Sequence, residues 1–464
     1  MRLSAFILIS FGLLGFCRGV LYQVGNPACF YVSPNIGLDT NSGTVTAPFL
    51  TLQKAQSAMA AGATKCVNVG HGIYLLSSAV ALTSADNGEI WIANSNDAPL
   101  SAIIDGQGTV PRLFELLGAS NVTLDGLVFR NMIYAGVAIH GGTATVNSVT
   151  FYNQTTGIAS GNTVQNSEAY GSLATNTGNS DYFTSGLVSA EGDVPNTTVQ
   201  SNYIHDMAGN GVLIWNNGKL NDDISNASIY NNVILNVNTV VSDDGAAYYQ
   251  DILATSTNLS VNHNYISAYN TGNGIYLDQQ TSNTTITNNI VRAGGTTSSH
   301  STGLLYDCGS SNAISNNIID AGSSAVVNGT IELKFSSGGC TAMTSDTWQK
   351  NIMLFGFVGN QNTSYYNVGV TYQCAGGTPA HLGISNNMYY NSAGGQALST
   401  GACSSDSSPV FQNPIMADNY RVCTGVGVPV AGCPGASPAL SAPLNFSQLA
   451  GGWGPPGFTI PGGY

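Results

Sequence analysis

The stretch Asn226-Ala-Ser-Ile-Tyr-Asn-Asn-Val-Ile-Leu235 is followed by three near copies: Asn258-Leu-Ser-Val-Asn-His-Asn-Tyr-Ile266, Asn283-Thr-Thr-Ile-Thr-Asn-Asn-Ile-Val291 and Asn312-Ala-Ile-Ser-Asn-Asn-Ile-Ile319. Weaker copies run from Asn121 to Phe129, Asn196 to Ile204 and His381 to Tyr389. Measured at the aliphatic residue that opens each copy (Val199, Ile229, Val261, Ile286, Ile314), the steps are 30, 32, 25 and 28 residues. A second repeat, Gly followed by an apolar strand, falls between them: Gly136-Val-Ala-Ile-His140, Gly186-Leu-Val-Ser189, Gly211-Val-Leu-Ile-Trp215, Gly274-Ile-Tyr-Leu-Asp278 and Gly303-Leu-Leu-Tyr-Asp307. Each period thus holds at least two short strands bounded by Gly/Asn/Ser turns.

Short strands at near-constant spacing suit a solenoid in which every strand pairs with its copy one coil along. A leucine-rich repeat needs a shorter period and a Leu ladder, and a propeller needs blades of about 40 residues or more. The pattern predicts an all-β, right-handed parallel β-helix. The recurring Asn-Asn pair predicts stacked side-chain amides that satisfy the turns' backbone groups.

Around the coils, Leu52, Ala55 and Met59 mark one apolar face of a short helix over Gln53 to Met59, which would cap the open end of the stack. Past about Ser408 the repeat gives way to a Pro- and Gly-rich tail expected to wrap the other end. The expected division is a leader over 1–19 and one domain over 20–464, with a cap (20–65), coils (66–407) and an irregular wrap (408–464).

The leader has Arg2, an apolar run from Leu3 to Phe16, and small residues Cys17 and Gly19 before the expected mature start at Val20. That is the pattern of a secretory signal peptide, so a secreted, extracellular protein is expected. Eight cysteines follow it, up to four disulfides, with Cys29–Cys66 and Cys423–Cys433 the pairings of shortest reach. Nine Asn-x-Ser/Thr sequons lie between Asn121 and Asn445 as candidate glycan sites. Only 8% of the residues are charged, with 11 Lys+Arg against 24 Asp+Glu. This balance excludes a nucleic-acid partner and disfavours acidic polysaccharides, whose carboxylates would be repelled.

Three stretches resemble the pectin-lyase-like β-helix superfamily. The opening is Tyr31-Val-Ser-Pro34, Asp39-x-Asn41-Ser-Gly-Thr44 and Pro48-Phe-x-Thr-Leu52; the close is Ser408-Pro-Val-Phe-Gln-Asn-Pro414, Asp418-Asn-Tyr-Arg-Val422 and Gly435-Ala-Ser-Pro-Ala439. The third, Ser242-Asp243-Asp244-Gly-Ala-Ala-Tyr248-Tyr249-Gln-Asp251 with Gly274-Ile-Tyr276-Leu-Asp278-Gln279, is similar to the active-site region of β-helix glycoside hydrolases of the β-xylosidase and fucosidase type. The resemblance implies catalytic roles for Asp244 and Asp278. Gln279 departs from it, standing where a second Asp is common.

Glycoside hydrolysis needs two carboxyls, about 5 Å apart for retention and about 6.5–9.5 Å for inversion. Neighbouring coils supply a spacing of about 4.8 Å. Aligned on their glycines, the coils turn Ile275 and Leu277 inward and Tyr276 and Asp278 outward, with Trp215 below Asp278, Asp307 above it and Asp251 near the same column. Asp244 lies about 15 Å from that level along a straight strand, so a bulge at Gly245 would have to bring it back.

The expected catalytic residues are therefore Asp244, Asp278 and Asp251. Asp243, Trp215, Tyr248, Tyr249, Tyr276 and Asp307 are expected to bind substrate, and no metal site or cofactor is expected. Each has a structural alternative: Asp243 and Asp244 as a turn pair, Asp307 as a partner of the turn at Cys308, the aromatics as ladder residues. His205-Asp206 reads as structural.

The reaction expected is cleavage of a neutral polysaccharide or oligosaccharide by a monomeric enzyme with no membrane partner once the leader is gone. Two alternatives stand beside it. One is a calcium-assisted polysaccharide lyase, which also needs a basic residue, with Lys219 and Arg292 the nearest in sequence. The other is a non-catalytic wall or adhesion rod.

Overall fold

The computed structural model describes residues 28–152, 156–158, 163–171, 185–191, 195–215, 223–239, 245–251, 256–267, 273–278, 281–292, 303–307, 309–320, 331–335, 345–355, 370–374, 382–392, 394, 406–414 and, intermittently, 416–460. Among these, three long sheets of 11, 13 and 12 strands run side by side along the chain, and every strand pairing within them is parallel. Sheet I runs from Val80–Thr83 to Val370–Cys374, sheet II from Phe30–Val32 to Leu382–Ser385, and sheet III from Gly72–Leu75 to Met388–Asn391. One coil contributes one strand to each, for example Thr198–Gln200 (II), Tyr203–His205 (III) and Asn210–Trp215 (I). The protein is a right-handed parallel β-helix of about a dozen coils, roughly 60 Å long at the strand spacing.

The core follows from alternation. In sheet II the middle residue of each short strand points inward, and Val199, Ile229, Val261, Ile286 and Ile314 stack in register, all within 1% of full burial. Sheet III stacks Ile204, Ile234, Ile266, Val291 and Ile319 in the same way.

Between sheets II and III the Asn-Asn pair performs two separate tasks. The first residue takes a left-handed backbone, with φ of 56° at Asn231, 59° at Asn288 and 57° at Asn316, a conformation that Asn tolerates better than most side chains. The second points inward and forms a ladder: Asn202, Asn232, Asn264, Asn289, Asn317, Asn351 and Asn387. Each donates its amide to the Oδ1 of the next at 2.9–3.0 Å. Each backbone N–H donates to that same oxygen, and the second amide proton goes to a backbone carbonyl, as in Asn289 to Val261 at 2.9 Å. Asp406 ends the ladder, accepting from Asn387 at 2.9 Å and from the Tyr389 hydroxyl at 3.0 Å. Buried amides are costly when unpaired, and here every rung is paired.

At the start of the stack a helix spans Leu52–Ala61, capped by the Thr51 side chain, which accepts from the Lys54 N–H at 3.1 Å. Leu52, Ala55 and Met59 are buried as the sequence predicts. Cys29 and Cys66 form a disulfide. Cys423 is also disulfide-bonded, and Cys433 lies outside the described residues. No helix among the described residues is long and apolar enough to cross a membrane.

The tail departs from expectation. It does not simply close the far end but runs back along the outer face of sheet III. Val410 pairs beside Met388, the Tyr420 hydroxyl donates to Asp320, and Ser447 and Asn316 exchange hydrogen bonds at 2.7 and 2.9 Å. Further back, the Gly454 N–H reaches the Asn231 carbonyl at 2.9 Å and Phe458 packs on Tyr203 at 4.5 Å. The cause is the outward member of each aliphatic pair after Asn-Asn. Val233, Tyr265, Ile290, Ile318, Ile352 and Met388 form an apolar stripe that Leu444, Phe446 and Leu449 roof over.

Replacing Asn289 by Ala in mid-ladder strands several buried carbonyls and amides, at an expected cost of about 2–4 kcal/mol in urea unfolding. A cost below about 0.5 kcal/mol, the size of an ordinary surface change, would show that the ladder carries no weight.

Candidate functional site: an acidic column on sheet I

The register of sheet I lines up two columns of positions. Trp215 stands opposite Asp251, Gln250 opposite Leu277, Leu277 opposite Tyr306, and Asp307 opposite Lys334. Extending that register by one residue places Asp278 between Asp251 and Asp307. The column therefore reads Glu191, Trp215, Asp251, Asp278, Asp307, Lys334 by backbone position. The second column, two residues earlier, holds Leu213, Tyr249, Tyr276, Leu305 and Glu332. Consecutive positions are about 4.8 Å apart, so Asp251 and Asp278 are one strand spacing apart and Asp251 and Asp307 two.

For Trp215, Tyr249, Asp251 and Asp307 the described features are backbone positions, and Asp243 and Asp244 lie outside the described residues. Asp278 and Tyr276 are described with their side chains, and both are nearly buried, at 7% and 4% exposure, although alternation puts them on the outer face. The Asp278 N–H donates to the Gln250 carbonyl at 2.8 Å. Its own carbonyl accepts from the Thr281 hydroxyl at 2.7 Å and the Thr281 N–H at 3.2 Å.

Tyr248 is a correction to the expected substrate-binding set. It stands in register with Val212 and Ile275, faces the core, and is 1% exposed, with its hydroxyl donating to the Gln250 side chain at 2.6 Å. Burial pushes its phenol far above the ordinary value. Gly245 is not the counterpart of Gly274; Ala247 is, so counting from Gly245 places each residue two positions too far along the strand while leaving its face unchanged, and it is this shift that brings Asp251 level with Asp278. The pairing keeps one register from Ala246 to Gln250, so no bulge falls within that strand. A register shift does occur lower in the sheet, between Ser185 and Val188.

Sequence reasoning missed Glu191, Glu332 and Lys334. Ile331-Glu-Leu-Lys-Phe335 alternates apolar and charged residues, a signal that could have revealed another sheet I strand. Arg292 does not approach the column: it belongs to sheet III, in register with Ser267 and Asp320. Lys219 lies outside the described residues. Among the described residues no three His, Cys, Asp or Glu side chains converge as a metal site requires.

A second cluster lies on sheet III. Both nitrogens of His205 face carboxylates, Nδ1 on Asp206 at 2.7 Å and Nε2 on Glu168 at 3.2 Å. Burial opposes the charged ring, but the two carboxylates outweigh it and hold the His205 pKa above the ordinary value. The ring is stacked on Tyr170 at 5.1 Å and Tyr203 at 4.1 Å, and Tyr170 on Tyr152 at 5.6 Å. With their faces covered by one another these rings present only edges, so they form no sugar platform.

Three long all-parallel sheets, with one strand of each per coil and an inward asparagine ladder between two of them, make this a right-handed parallel β-helix. No family model matches the chain, and neither does any curated protein. Solved structures of similar architecture include the A-module of mannuronan C-5 epimerase AlgE4 from Azotobacter vinelandii, 13% identical over 82% of this chain and 100% of that one, TM-score 0.44. Others are XylC in complex with xylose (11% identity, 84% and 87% coverage, TM-score 0.46) and a PL6 alginate lyase in complex with a trisaccharide (15%, 79% and 81%, 0.44). No residue role is carried over from them.

A raised folded-state pKa gives stability that is complete below the unfolded value of about 6.5 and is lost as pH rises through the folded value. The wild type is therefore expected to lose melting temperature relative to His205→Gln as pH rises above about 6.5. A difference between the two that stays flat over that range would contradict the paired-imidazolium account.

Proposed function

We propose that the protein is a secreted carbohydrate-active enzyme that hydrolyses a glycosidic bond in a neutral polysaccharide or oligosaccharide. The observation that carries this reading is the succession of Asp251, Asp278 and Asp307 on adjacent strands of one outer face. Two carboxyls separated by about 5 Å suit a retaining displacement, in which one attacks the anomeric carbon and the other protonates the leaving oxygen, then activates water. The backbones of Asp251 and Asp278 are one strand apart, close to that spacing. In such a displacement one of the pair serves as the acid and the other as the nucleophile.

Trp215, the position below Asp251, offers an aromatic ring for a sugar face. Asp243 and Asp244 enter by resemblance, and Tyr249 and Tyr276, at positions of the neighbouring column, are candidate substrate contacts. The scarcity of basic residues along the chain favours an uncharged glycan.

One observation favours a second reading. Lys334 follows Asp307 in the column, and a lysine beside carboxylates is what a calcium-assisted lyase would use to abstract a proton next to a uronate carboxyl.

The test is a screen of the purified protein on neutral xylan-, arabinan- and fucan-type glycans, following reducing ends and ultraviolet absorbance together. The hydrolase reading predicts reducing ends without unsaturated products, and a fall of about 10²–10⁴-fold in kcat for Asp251→Asn and for Asp278→Asn. Full activity in both variants would overturn it. Unsaturated products lost in Lys334→Ala and in chelator would establish the lyase instead.

A further inference from the structure

Resting on the reading just given, we propose that Gln250, together with Tyr248, Thr281 and Thr284, is a positioning network beneath the carboxylate column, holding the Asp251 and Asp278 backbones at a working separation. The inward column at this level reads Ile214, Gln250 and Leu277, and the one before it Val212, Tyr248, Ile275 and Leu304. Packing alone would put an aliphatic residue at both places on the strand that ends in Asp251. Instead that strand carries an amide and a phenol, at 0% and 1% exposure. Burying them is unfavourable unless every polar atom is matched.

They are matched along one path. The Tyr248 hydroxyl donates to Gln250 Oε1 at 2.6 Å, and Gln250 Nε2 donates to Thr284 Oγ1 at 2.8 Å. The Thr284 N–H donates to Asn312 Oδ1 at 2.9 Å, and Asn312 Nδ2 donates to the Thr281 carbonyl at 2.7 Å. Thr281 closes the path onto the site: its hydroxyl donates to the Asp278 carbonyl at 2.7 Å, with the Gln250 carbonyl at 3.3 Å. The Asp278 N–H already donates to that Gln250 carbonyl at 2.8 Å. The residue before Asp251 and the backbone of Asp278 are therefore tied to the same buried cluster. A shift of about 1 Å between reacting groups can cost on the order of a hundredfold in rate, so a network that fixes strand ends has a catalytic consequence without touching substrate.

The triple variant Tyr248→Phe/Gln250→Leu/Thr284→Val replaces the linked partners together by apolar groups of similar shape. That leaves no stranded donor among them and should change stability little. On the glycan that the wild type cleaves, kcat is expected to fall by about tenfold or more with KM nearly unchanged, and the pH profile of kcat to shift. Thr281→Val should lower kcat in the same way and Thr281→Ser should restore it, which keeps the test open should the triple variant fold poorly. As a control, Tyr389→Phe removes a buried phenol at the far end of the asparagine ladder and should lower the melting temperature without altering kcat. Folded triple and Thr281→Val variants with wild-type kcat and pH profile overturn the positioning role alone. A wild type inert on every neutral glycan overturns the functional reading and the positioning role with it.

Discussion

A buried amide with an unpaired hydrogen-bonding group is among the less tolerable features of a protein interior, and a run of seven, one per coil, is stable only when each completes the next. That constraint locks the coils of this β-helix together. Each rung from Asn232 to Asn387 takes the backbone N–H and the amide of the rung before onto one oxygen, so a slip of one residue between coils would break two bonds and strand others. With the ladder in place, the residues three and six positions away have little freedom. Sheets II and III inherit their registers, and the longer excursions between coils are free to vary.

The three outer faces then have different fates. Along sheet II, Thr145, Thr163, Thr198, Ser228 and Ser260 follow one another in register, beside Asn147, Gln165 and Gln200, and these side chains partly satisfy one another across coils, as Asn147 does with Asp125 at 2.9 Å. Sheet III leaves an apolar stripe outside, which recruits the tail as its roof. Sheet I places its acidic residues in line. A parallel ladder turns spacing in sequence into a column in space, so carboxyls that are 27 and 29 residues apart, at Asp251, Asp278 and Asp307, become neighbours.

Much of this was legible in the sequence because corner chemistry is local. Asn-Asn marks a left-handed residue followed by a ladder rung, and the sequons at Asn196, Asn226 and Asn258 have a similar origin. Each is a corner residue with φ of 60–63°, followed by an inward residue and then an outward Ser or Thr of sheet II. The alternation around Ile275 and Leu277 was readable for the same reason. Tyr248 was misjudged on residue type: its place in the alternation already turns it inward, but a tyrosine followed by a second tyrosine reads as part of an aromatic surface, and only the Gln250 partner for its hydroxyl explains its burial. The path of the tail depends on a long-range match of apolar surfaces. Its trace in sequence was the first apolar residue after each Asn-Asn, as at Val233, Ile290 and Ile318, one more than the core needs.

The central claim is that Asp251 and Asp278 occupy adjacent, in-register positions of one column. Introducing cysteines pairwise and mapping crosslinked peptides by mass spectrometry after mild oxidation tests it directly. In-register neighbours about 4.8 Å apart lie within the range a disulfide spans, and residues on opposite faces of the sheet do not meet that geometry. Asp251→Cys/Asp278→Cys is predicted to crosslink readily and Asp251→Cys/Leu277→Cys not at all. The reverse outcome, a bridge from 251 to 277 with none to 278, would place the two carboxyls on different faces and contradict the account.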